Sequence, residues 1–186
     1  MDHRDEDGGG QLTSWPSFVQ RFVLSPIGRL RLVATDGALV ALDLPLLSGR
    51  HARSLTAVAV DVDGGGQPRE LLDLLERAAR QVEEYFRGER REFDVPLAPE
   101  GTPFQKAVWD EVARIPFGER RSYAEVALEI GRPRAVRAVG GANALNPLPI
   151  LVPCHRVVGS DGALTGYAGG LAAKEWLLSH EGGRAP

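Results

Sequence analysis

The sequence predicts a protein of two parts, a small α/β domain with an antiparallel sheet and one helix, followed by a mainly helical domain. Three short apolar runs separated by turn residues precede one long amphipathic stretch, a pattern typical of a sheet covered by a helix. The second half instead contains several helix-start patterns close together. We place a disordered tail at residues 1–14, the first domain at 15–97 and the second at 102–183.

The predicted sheet begins as a meander of three strands. Three runs rich in Val, Leu and Phe supply them: FVQRFVLS at 18–25, GRLRLVAT at 28–35 and GALVALDL at 37–44. Turns that contain Gly28 and Gly37 separate the runs, which indicates successive hairpins. A further strand is expected at Ala57–Val62, next to a glycine-rich loop.

The stretch RELLDLLERAARQVEEYFRGE, which begins at Arg69, predicts one long amphipathic helix, and Gly88 lies where its cap should be. The residues at helical spacing that should face the core are Leu71, Leu72, Leu75, Ala78, Ala79, Val82, Tyr85 and Phe86. The run REFDVPLAPEGTP that follows is interpreted as a last strand and a linker, so the boundary between the domains lies near residues 97–102.

The second domain opens with two helices whose starts share one pattern. Thr102 and Gln105 form a predicted capping box around Pro103, and Ser122 with Glu125 forms another. The first of these helices is expected to run to about residue 114. It should bury Phe104, Ala107, Val108 and Val112.

A helix-turn-helix is predicted where the second helix ends at Gly131 and a third helix begins at Pro133. Arg132, Arg134 and Arg137 follow one another closely with no acidic residue among them, and arginines at a helix start can contact phosphates or bases. The third helix ends in small residues: Gly140, Gly141, Ala142 and Ala144. A surface this bare suits close approach to a nucleic-acid backbone, but it equally suits tight packing between helices, and the sequence leaves both open.

Charge and composition constrain the cellular setting more than the partner. The 186-residue chain has a net charge of −3, which argues weakly against nucleic acid. A local basic surface is still compatible with this charge, because salt screens fields beyond about 10 Å. With one cysteine the chain cannot form an internal disulfide, so its fold requires no oxidising compartment. The acidic N-terminus lacks the apolar core of a signal peptide, and the longest nearly apolar run, Leu145–Val152, is too short to cross a bilayer. We expect a cytoplasmic protein.

The single cysteine, Cys154, follows the apolar run LPILV in a proline-rich segment that is expected to be extended. A lone thiol in this setting is usually a core residue, whereas a reactive one requires a base or a positive field nearby. His155 is the next residue, but neighbours in an extended chain point to opposite faces, so contact requires a bend or a bridging water. Asn146, Pro147 and Pro149 predict such an irregular path. No second Cys or His lies at metal-ligand spacing, so no metal is expected.

Four stretches of the second half carry a resemblance. PILVPCHRVV is followed by GALTGYAGGLAAKEWLLSHEG, and TPFQKAVWDEVARIPFGERRSYAEVA and RAVRAVGGA precede them. In this order they resemble the O6-alkylguanine-DNA alkyltransferases, also called methylated-DNA–protein-cysteine methyltransferases. The resemblance covers about residues 100–183 with high specificity and 18–97 only loosely. It implies a ribonuclease-H-like first domain and a second domain with a winged helix-turn-helix whose third helix enters the minor groove.

The resemblance implies direct-reversal DNA repair. An O6-alkylguanine is flipped out of double-stranded DNA, the thiolate of Cys154 attacks the alkyl carbon, and guanine leaves. The alkyl group stays on sulfur as a thioether, so each molecule should act once. No cofactor is expected, because the substrate brings its own electrophilic carbon. The expected partner is duplex DNA that contains the lesion, bound by a monomer, with cooperative binding left open and no membrane partner.

The resemblance also assigns the catalytic roles. Cys154 is implied to be the nucleophile, His155 the base that acts through a water, and Glu181 the carboxylate that orients the histidine. Asn146 is implied to brace the turn that carries the cysteine. Tyr123 is implied to help rotate the nucleotide and to donate a proton as guanine departs. Without the resemblance, His155 is simply a polar residue bonded to a carbonyl, and Glu181 a surface residue at a helix end.

Two further groups of residues are implied, at the DNA surface and in the guanine pocket. Arg137 would enter the duplex and fill the gap left by the flipped base, a wedge role that costs about a few kcal/mol of unstacking. The remaining DNA-contacting residues would be Tyr123, Arg134, Gly140, Gly141 and Ala142. Tyr167 would hydrogen-bond the guanine, and Lys174 would hold the pocket loop. The other predicted pocket residues are Val157, Ala168 and Gly169.

Other possible functions, and other members of the family, each require a feature that can be checked in the sequence. Some family members have a zinc site of cysteines and histidines in the first domain, which one cysteine cannot build. Members that bind the lesion without repairing it have tryptophan at the acceptor position, where this chain has Cys154. A cysteine hydrolase would need an oxyanion hole and would turn over repeatedly. A transcriptional regulator would need a separate DNA-binding domain, for which the chain is too short.

Overall fold

The computed structural model describes residues 18–35, 37–45, 60–61 and 69–182. The predicted tail at 1–14 and most of the segment 47–68 lie outside the described residues. Within them, the fold class is confirmed: a sheet covered by one helix is followed by a mainly helical part. No helix among the described residues is both long and apolar enough to cross a membrane.

The sheet of the first part has four strands in the order β3-β2-β1-β4. The predicted meander supplies three antiparallel strands, β1 at Val19–Ser25, β2 at Gly28–Thr35 and β3 at Ala38–Asp43. The short strand β4 at Val60–Asp61, within the expected fourth run, pairs parallel to β1. One face of the sheet is therefore continuous from β3 to β4 and can be covered by a single helix.

Helix α1, Arg69–Phe86, packs on β1 and β2. Its predicted apolar face is buried, with Leu72 and Phe86 only partly covered, and Leu74 joins that face although the prediction left it out. Gly88 has φ +75° and its N–H donates to the Tyr85 carbonyl, so a left-handed residue ends the helix as predicted. Tyr85, which is fully buried, is thereby placed at the very end of α1.

The last strand predicted after α1 does not form. Leu97 makes a single bridge with Leu39, through bonds from Leu39 N to Pro96 O and from Ala98 N to Leu39 O. Proline has no N–H for a ladder, and Pro96 and Pro99 flank this bridge, so the segment cannot continue as a strand. It runs instead as an irregular connection into the second part.

The second part begins with α2, Pro103–Ala113, and α3, Tyr123–Glu129. Both predicted capping boxes form, Thr102 with Gln105 and Ser122 with Glu125. Ala107 was predicted to be buried in α2 but is exposed. Trp109 is buried instead, because its Nε1 donates to the Ala142 carbonyl at 2.9 Å and turns that face of the helix inward.

The third helix, α4, begins at Val136 and not at Pro133 as predicted. Ala135 N donates to Arg132 O at 2.8 Å, so the residues around Pro133 form a separate turn before the helix. Helix α4 ends at Ala144 and contacts both α2 and α3. Its start has no side-chain cap, so the N–H groups of its first turn are left for water or for a ligand.

A two-stranded parallel sheet and a final helix complete the second part. Strand β5, Arg121–Ser122, pairs with β6, Val157–Val158, which directly follows the PCHR segment. Helix α5 spans Gly170–Glu181. The two parts meet beside the cysteine loop, where Leu42 N in β3 donates to the Pro147 carbonyl at 2.8 Å.

Candidate active site

The chain before Cys154 makes a tight, strained turn. Ile150 has φ +75°, a conformation that β-branched residues rarely adopt, and its side chain is buried. Val152 N donates to Leu148 O at 2.8 Å across this turn. Pro147 and Pro149 restrict the backbone on either side of Leu148. The segment therefore holds its shape because neighbouring contacts over-determine it.

The side chain of Asn146 braces this turn from within. Its Nδ2 donates to Val152 O at 2.8 Å, and its Oδ1 accepts from Leu148 N at 3.0 Å. Both bonds are buried, so each is protected from competition with water. This is the contact pattern that the predicted bracing role requires.

Cys154 itself opens a short 3-10 helix, Cys154–Arg156, where the sequence predicted an extended chain. The helical turn places neighbouring side chains closer to one face than an extended chain allows. Asn143, which the sequence analysis did not select, donates from Nδ2 to the Cys154 carbonyl at 3.1 Å and holds the start of this turn. The PCHR segment is thus anchored to α4 by Asn143, while Asn146, just beyond the end of α4, holds the turn that precedes it.

The thiol of Cys154 is buried and held in its neutral form. Its exposed fraction is 3%, and burial raises its pKa to about 11. A hydrogen bond with the Asn146 side chain and the positive charge of Lys174 both act in the opposite direction, favouring the thiolate. Burial is the larger effect, so the free protein keeps a protonated thiol that needs a base to become a nucleophile.

His155 is fully buried, and its two ring nitrogens differ in their surroundings. Nε2 lies 2.8 Å from Glu181 Oε1. Nδ1 is buried and has no hydrogen-bond partner among the described residues. Burial lowers the pKa of His155, against the opposing pull of Glu181, so the ring is neutral near physiological pH.

Glu181 decides which nitrogen of His155 carries the proton. Burial by itself would raise the pKa of Glu181, but hydrogen bonds from His155 and Arg156 outweigh it and hold that pKa far below its usual value. Glu181 is therefore a carboxylate that only accepts hydrogen bonds, so Nε2 of a neutral His155 must be the N–H. Nδ1 then carries a free lone pair and is the nitrogen that can act as a base.

Glu181 also binds three groups that sequence reasoning missed. Arg156 makes a two-pronged contact, from Nε to Oε2 at 2.8 Å and from a terminal nitrogen to Oε1 at 2.9 Å. Tyr85 Oη donates to Oε1 at 2.8 Å, and Gly118 N donates to Oε2 at 3.3 Å. Arg156 could have been found from its place beside His155 in the PCHRV motif. Tyr85 offered no such signal, because it lies in the other part of the chain.

Lys174 is buried beneath the loop that follows β6. Its Nζ donates to Val157 O at 2.7 Å and to Thr165 O at 2.9 Å, which ties the two ends of this loop together. Burial lowers the pKa of Lys174, and the neighbouring Cys154 acts against that shift. Lys174 thus matches the loop-holding role expected of it and also adds positive charge near the thiol.

The loop itself presents Tyr167. Its hydroxyl is buried without a hydrogen-bond partner among the described residues, and burial raises its pKa well above the usual value. A neutral, unpaired phenol is a donor prepared for a ligand. A Cβ on Gly169 would lie 2.8 Å from Leu44 Cδ1 and 3.0 Å from Tyr167 Cε1, so a side chain there would require both neighbours to move. Ala168 lies half-buried between these two residues.

Tyr123, at the start of α3, links the pocket loop to the helix-turn-helix. Thr165 Oγ1 donates to Tyr123 Oη at 3.2 Å, and Lys174 Nζ lies 6.0 Å from the ring centroid. A Cβ on Gly140 would lie 3.9 Å from the Tyr123 ring. Tyr123 therefore lies between the loop that follows β6 and α4.

The surface of α4 distinguishes the two interpretations that the sequence left open. Arg134 and Arg137 are exposed and make no hydrogen bond or ion pair within the described residues. A Cβ on Gly141 would meet nothing within 4 Å, so packing inside the protein does not require glycine there. Ala142, by contrast, is buried against Trp109, so its small side chain serves helix packing. The exposed face of α4 therefore combines basic side chains with the small residue Gly141, whereas Ala142 lies on the buried face that packs inside the protein.

The structure thus brings Cys154, His155, Glu181 and Asn146 into one connected site, with Lys174 and Tyr167 beside it. Tyr123 stands at its edge, and Arg137 projects separately from the exposed face of α4. Within the described ranges, no three His, Cys, Asp or Glu side chains gather as metal ligands.

Two family models match consecutive parts of the chain. The ribonuclease-like domain of 6-O-methylguanine DNA methyltransferase matches residues 19–99, and the DNA-binding domain of the same enzyme matches residues 103–183. Together they span nearly all of the described residues and follow one another in the order of the two parts seen in the fold.

Similar proteins extend over most of the chain. A methylated-DNA–protein-cysteine methyltransferase of Methanosarcina barkeri is 48% identical over 157 residues, 84% of this chain and 92% of that protein. A protein of the same name from Mycobacterium tuberculosis is 44% identical over 166 residues, 89% of this chain and 93% of its own. The crystal structure of Mycobacterium tuberculosis O6-methylguanine methyltransferase superposes with a TM-score of 0.77 at 44% identity, covering 91% of this chain and 95% of that one. A structure of the mycobacterial protein OGT in complex with DNA gives a TM-score of 0.77 at 43% identity, covering 90% and 94%.

Proposed function

The chain belongs to the methylated-DNA–protein-cysteine methyltransferases, and we propose that Cys154 is the residue that accepts the alkyl group from O6-alkylguanine in DNA. The protein repairs DNA by direct reversal, in a single turnover that restores guanine and consumes the protein. One observation carries the assignment to Cys154. Its buried thiol adjoins a neutral histidine whose proton lies on the nitrogen that faces Glu181, which leaves the other nitrogen free as a base.

The proposed reaction transfers one alkyl group and one proton. His155 Nδ1 takes the thiol proton of Cys154 through a water molecule, and the sulfur electron pair attacks the alkyl carbon. The carbon–O6 bond breaks as the carbon–sulfur bond forms. Its electron pair returns to the guanine ring, which takes up a proton from the Tyr123 hydroxyl; solvent then returns a proton to Tyr123 and removes the one held by His155. The thioether on Cys154 has no leaving group that water can displace, so the protein is not regenerated.

Several residues would prepare the thiolate without reacting. Asn146 binds the sulfur and braces its turn, while Lys174 provides positive charge close to it. Both favour the thiolate against the larger effect of burial, so they reduce the free-energy cost of proton transfer to His155 without removing it. Glu181 stabilises the imidazolium that forms on His155.

The flipped base would be held by the loop that Lys174 ties down. The unpaired hydroxyl of Tyr167 is a buried donor for an oxygen or nitrogen of the guanine edge. Val157 and Gly169 would define the walls beside it, since Val157 is fully buried and Gly169 permits Leu44 and Tyr167 to approach closely. Ala168 would complete this wall.

The exposed face of α4 is the proposed DNA surface. Arg137 would fill the gap left by the flipped nucleotide, and Arg134 would contact phosphates at the start of the helix. The bare surface at Gly140 and Gly141 would let the sugar–phosphate backbone come close. Ala142 would support this surface from below, because its side chain is buried. Affinity should fall with salt, as these contacts release counterions.

We further propose that the protein acts as a monomer in the cytoplasm. A monomer is supported because the described residues of one chain supply the thiol, the base, the orienting carboxylate and every hydrogen bond that Glu181 accepts. A reducing compartment is supported because Cys154 must remain a free thiol to react. Sedimentation with and without duplex DNA would test the monomer and would reveal any cooperative binding.

Intact-mass spectrometry tests the proposed acceptor. The protein is mixed with one equivalent of duplex DNA that contains O6-methylguanine, and its mass should increase by one methyl group located on Cys154. Cys154→Ser should bind the same DNA and gain no mass. A methyl group found on another residue, or repeated turnover by one protein molecule, would overturn the proposal.

A further inference from the structure

We propose that Tyr85, at the end of the helix in the ribonuclease-like part, is a positioning residue for alkyl transfer that acts through Glu181. The inference rests on the proposed function, since it names a residue that prepares the same base. It makes the first part of the chain a component of the reaction machinery and not only a neighbouring domain. The argument depends on what surrounds the carboxylate of Glu181.

The carboxylate of Glu181 accepts hydrogen bonds from four residues in three segments of the chain. Oε1 accepts from Tyr85 Oη at 2.8 Å, from His155 Nε2 at 2.8 Å and from Arg156 at 2.9 Å. Oε2 accepts from Arg156 Nε at 2.8 Å and from Gly118 N at 3.3 Å. Tyr85 therefore binds the same oxygen as the histidine, and it is the one neutral side-chain hydroxyl among these donors.

Tyr85 is held at both ends by consecutive residues of α5. Its hydroxyl binds Glu181, and its backbone carbonyl accepts from His180 Nε2 at 2.7 Å. Its ring packs edge-on against Phe86 at 5.3 Å and against Phe117 at 6.2 Å between centroids. The phenol thus has a fixed position relative to the carboxylate, as a positioning group requires.

The hydroxyl contributes nothing to this packing that a phenylalanine could not supply. Its specific effect is electrostatic, because a donated hydrogen bond disperses negative charge on Oε1. Without it, Glu181 would pull harder on the Nε2 proton and would favour the protonated form of His155. The other charged groups around His155, namely Arg156 beside it and Lys174 on α5, would be unchanged. Because the pKa of His155 would rise, the histidine would become protonated, and stop acting as a base, at a higher pH.

Tyr85→Phe in the full chain tests this directly. Single-turnover rates are measured from about pH 5 to about pH 9, with methylated duplex DNA and with the free base O6-benzylguanine. The acid limb of the rate profile should move to higher pH for both substrates. On that limb, at about pH 5, the rate should fall about fivefold, equivalent to about 1 kcal/mol, whereas the neutral-pH rate should change little because His155 stays neutral there. Equal losses on both substrates are expected, since Tyr85 lies away from the DNA surface.

The matched control is Phe93→Leu, which removes an aromatic partner of Tyr85 at 5.6 Å but keeps the hydroxyl. It should lower thermal stability and leave the acid limb in place. Replacing Tyr85 alone by difluorotyrosine strengthens the donor and should move the limb to lower pH, which covers the case in which Tyr85→Phe does not fold.

Three outcomes separate this inference from the proposed function. An acid limb that stays in place in both Tyr85 variants, with only stability changed, would show a structural role and overturn the inference. A limb that moves equally in Phe93→Leu would do the same. Failure of the unaltered protein to methylate Cys154 would instead overturn the proposed function itself.

Discussion

Asn146 donates a hydrogen bond to the carbonyl of Val152, six residues along the chain, and so closes the turn that carries the reactive cysteine. The turn contains Ile150 in a left-handed conformation, and such strain persists only when surrounding contacts enforce it. The acceptor thiol is therefore placed by a strained segment and one amide side chain, not by regular secondary structure.

Replacing that amide should impair both stability and reaction. In Asn146→Ala, the Val152 carbonyl and the Leu148 amide are left buried and unpaired, which should cost about 2–4 kcal/mol of unfolding free energy. The single-turnover rate at Cys154 should fall roughly tenfold to a hundredfold, because the thiol loses its position and its hydrogen bond. Urea unfolding and single-turnover methyl transfer measure the two effects.

Gln81→Ala provides the matched control for Asn146→Ala. Gln81 is a buried amide that also makes two bonds to backbone, with Asp94 O at 3.3 Å and with Asp94 N at 2.8 Å, but it lies on α1 away from the thiol. The Gln81→Ala protein should lose a comparable amount of unfolding free energy and keep the single-turnover rate of methyl transfer. Equal rates in the two variants, once both are folded, would contradict a bracing role for Asn146.

The wedge role of Arg137 predicts a loss that depends on the substrate. Arg137→Ala should leave stability unchanged, since the side chain is exposed and makes no polar contact within the described residues. Repair of methylated duplex DNA should slow at least about tenfold, because the gap left by the flipped base is no longer filled. Reaction with free O6-benzylguanine should be unaffected, and rates on both substrates measure the difference.

Arg77→Ala controls for the loss of one positive charge. Arg77 is exposed on α1 and likewise makes no polar contact in the part of the chain that the structure describes. It should behave like the unaltered protein on both substrates. If Arg137→Ala slowed the free-base reaction as much as the duplex reaction, the side chain would be acting on the chemistry and not as a wedge.

Local chemistry explains which parts of the fold could be predicted. The capping boxes at Thr102 and Ser122 formed as predicted because each is closed by hydrogen bonds within three residues. The start of α4 was misplaced because the turn from Arg132 to Ala135 uses the same residues that would open a helix at Pro133. The strand expected after α1 failed because prolines interrupt it, a signal that was present in the sequence.

The residues of the candidate site likewise fall into those that the sequence predicted and those that it did not. Cys154, His155, Asn146 and Glu181 were predicted by their place in the resemblance and meet in the structure. Tyr85 was missed because it lies 96 positions from Glu181, and only the packing of α1 against α5 brings them together. A long-range contact of this kind leaves no periodicity in the sequence, whereas the local bonds of Asn146 span six residues.

Gly141 should separate stability from DNA binding. It lies within α4, and a Cβ there would meet nothing within 4 Å, so Gly141→Ala should stabilise the protein by about 1 kcal/mol. If the DNA backbone approaches this face closely, the same methyl group should weaken duplex binding. Thermal unfolding and a fluorescence titration with duplex DNA measure the two effects, and unchanged affinity would place the DNA elsewhere.

The buried thiol of Cys154 predicts a specific dependence of stability on pH. Its pKa is raised from 9.0 to about 11 in the folded protein, so the unfolded chain loses this proton first as pH rises. The neutral thiol therefore contributes stability that is complete below about pH 9 and declines towards pH 11, by about 1 kcal/mol at pH 10. Cys154→Ala cannot show this decline. The difference in unfolding free energy between the two proteins, measured in urea from about pH 8 to about pH 10, should shift by that amount in favour of the variant. Parallel profiles would mean that the thiol ionises as readily in the folded protein as in the unfolded chain, and that burial does not raise its pKa.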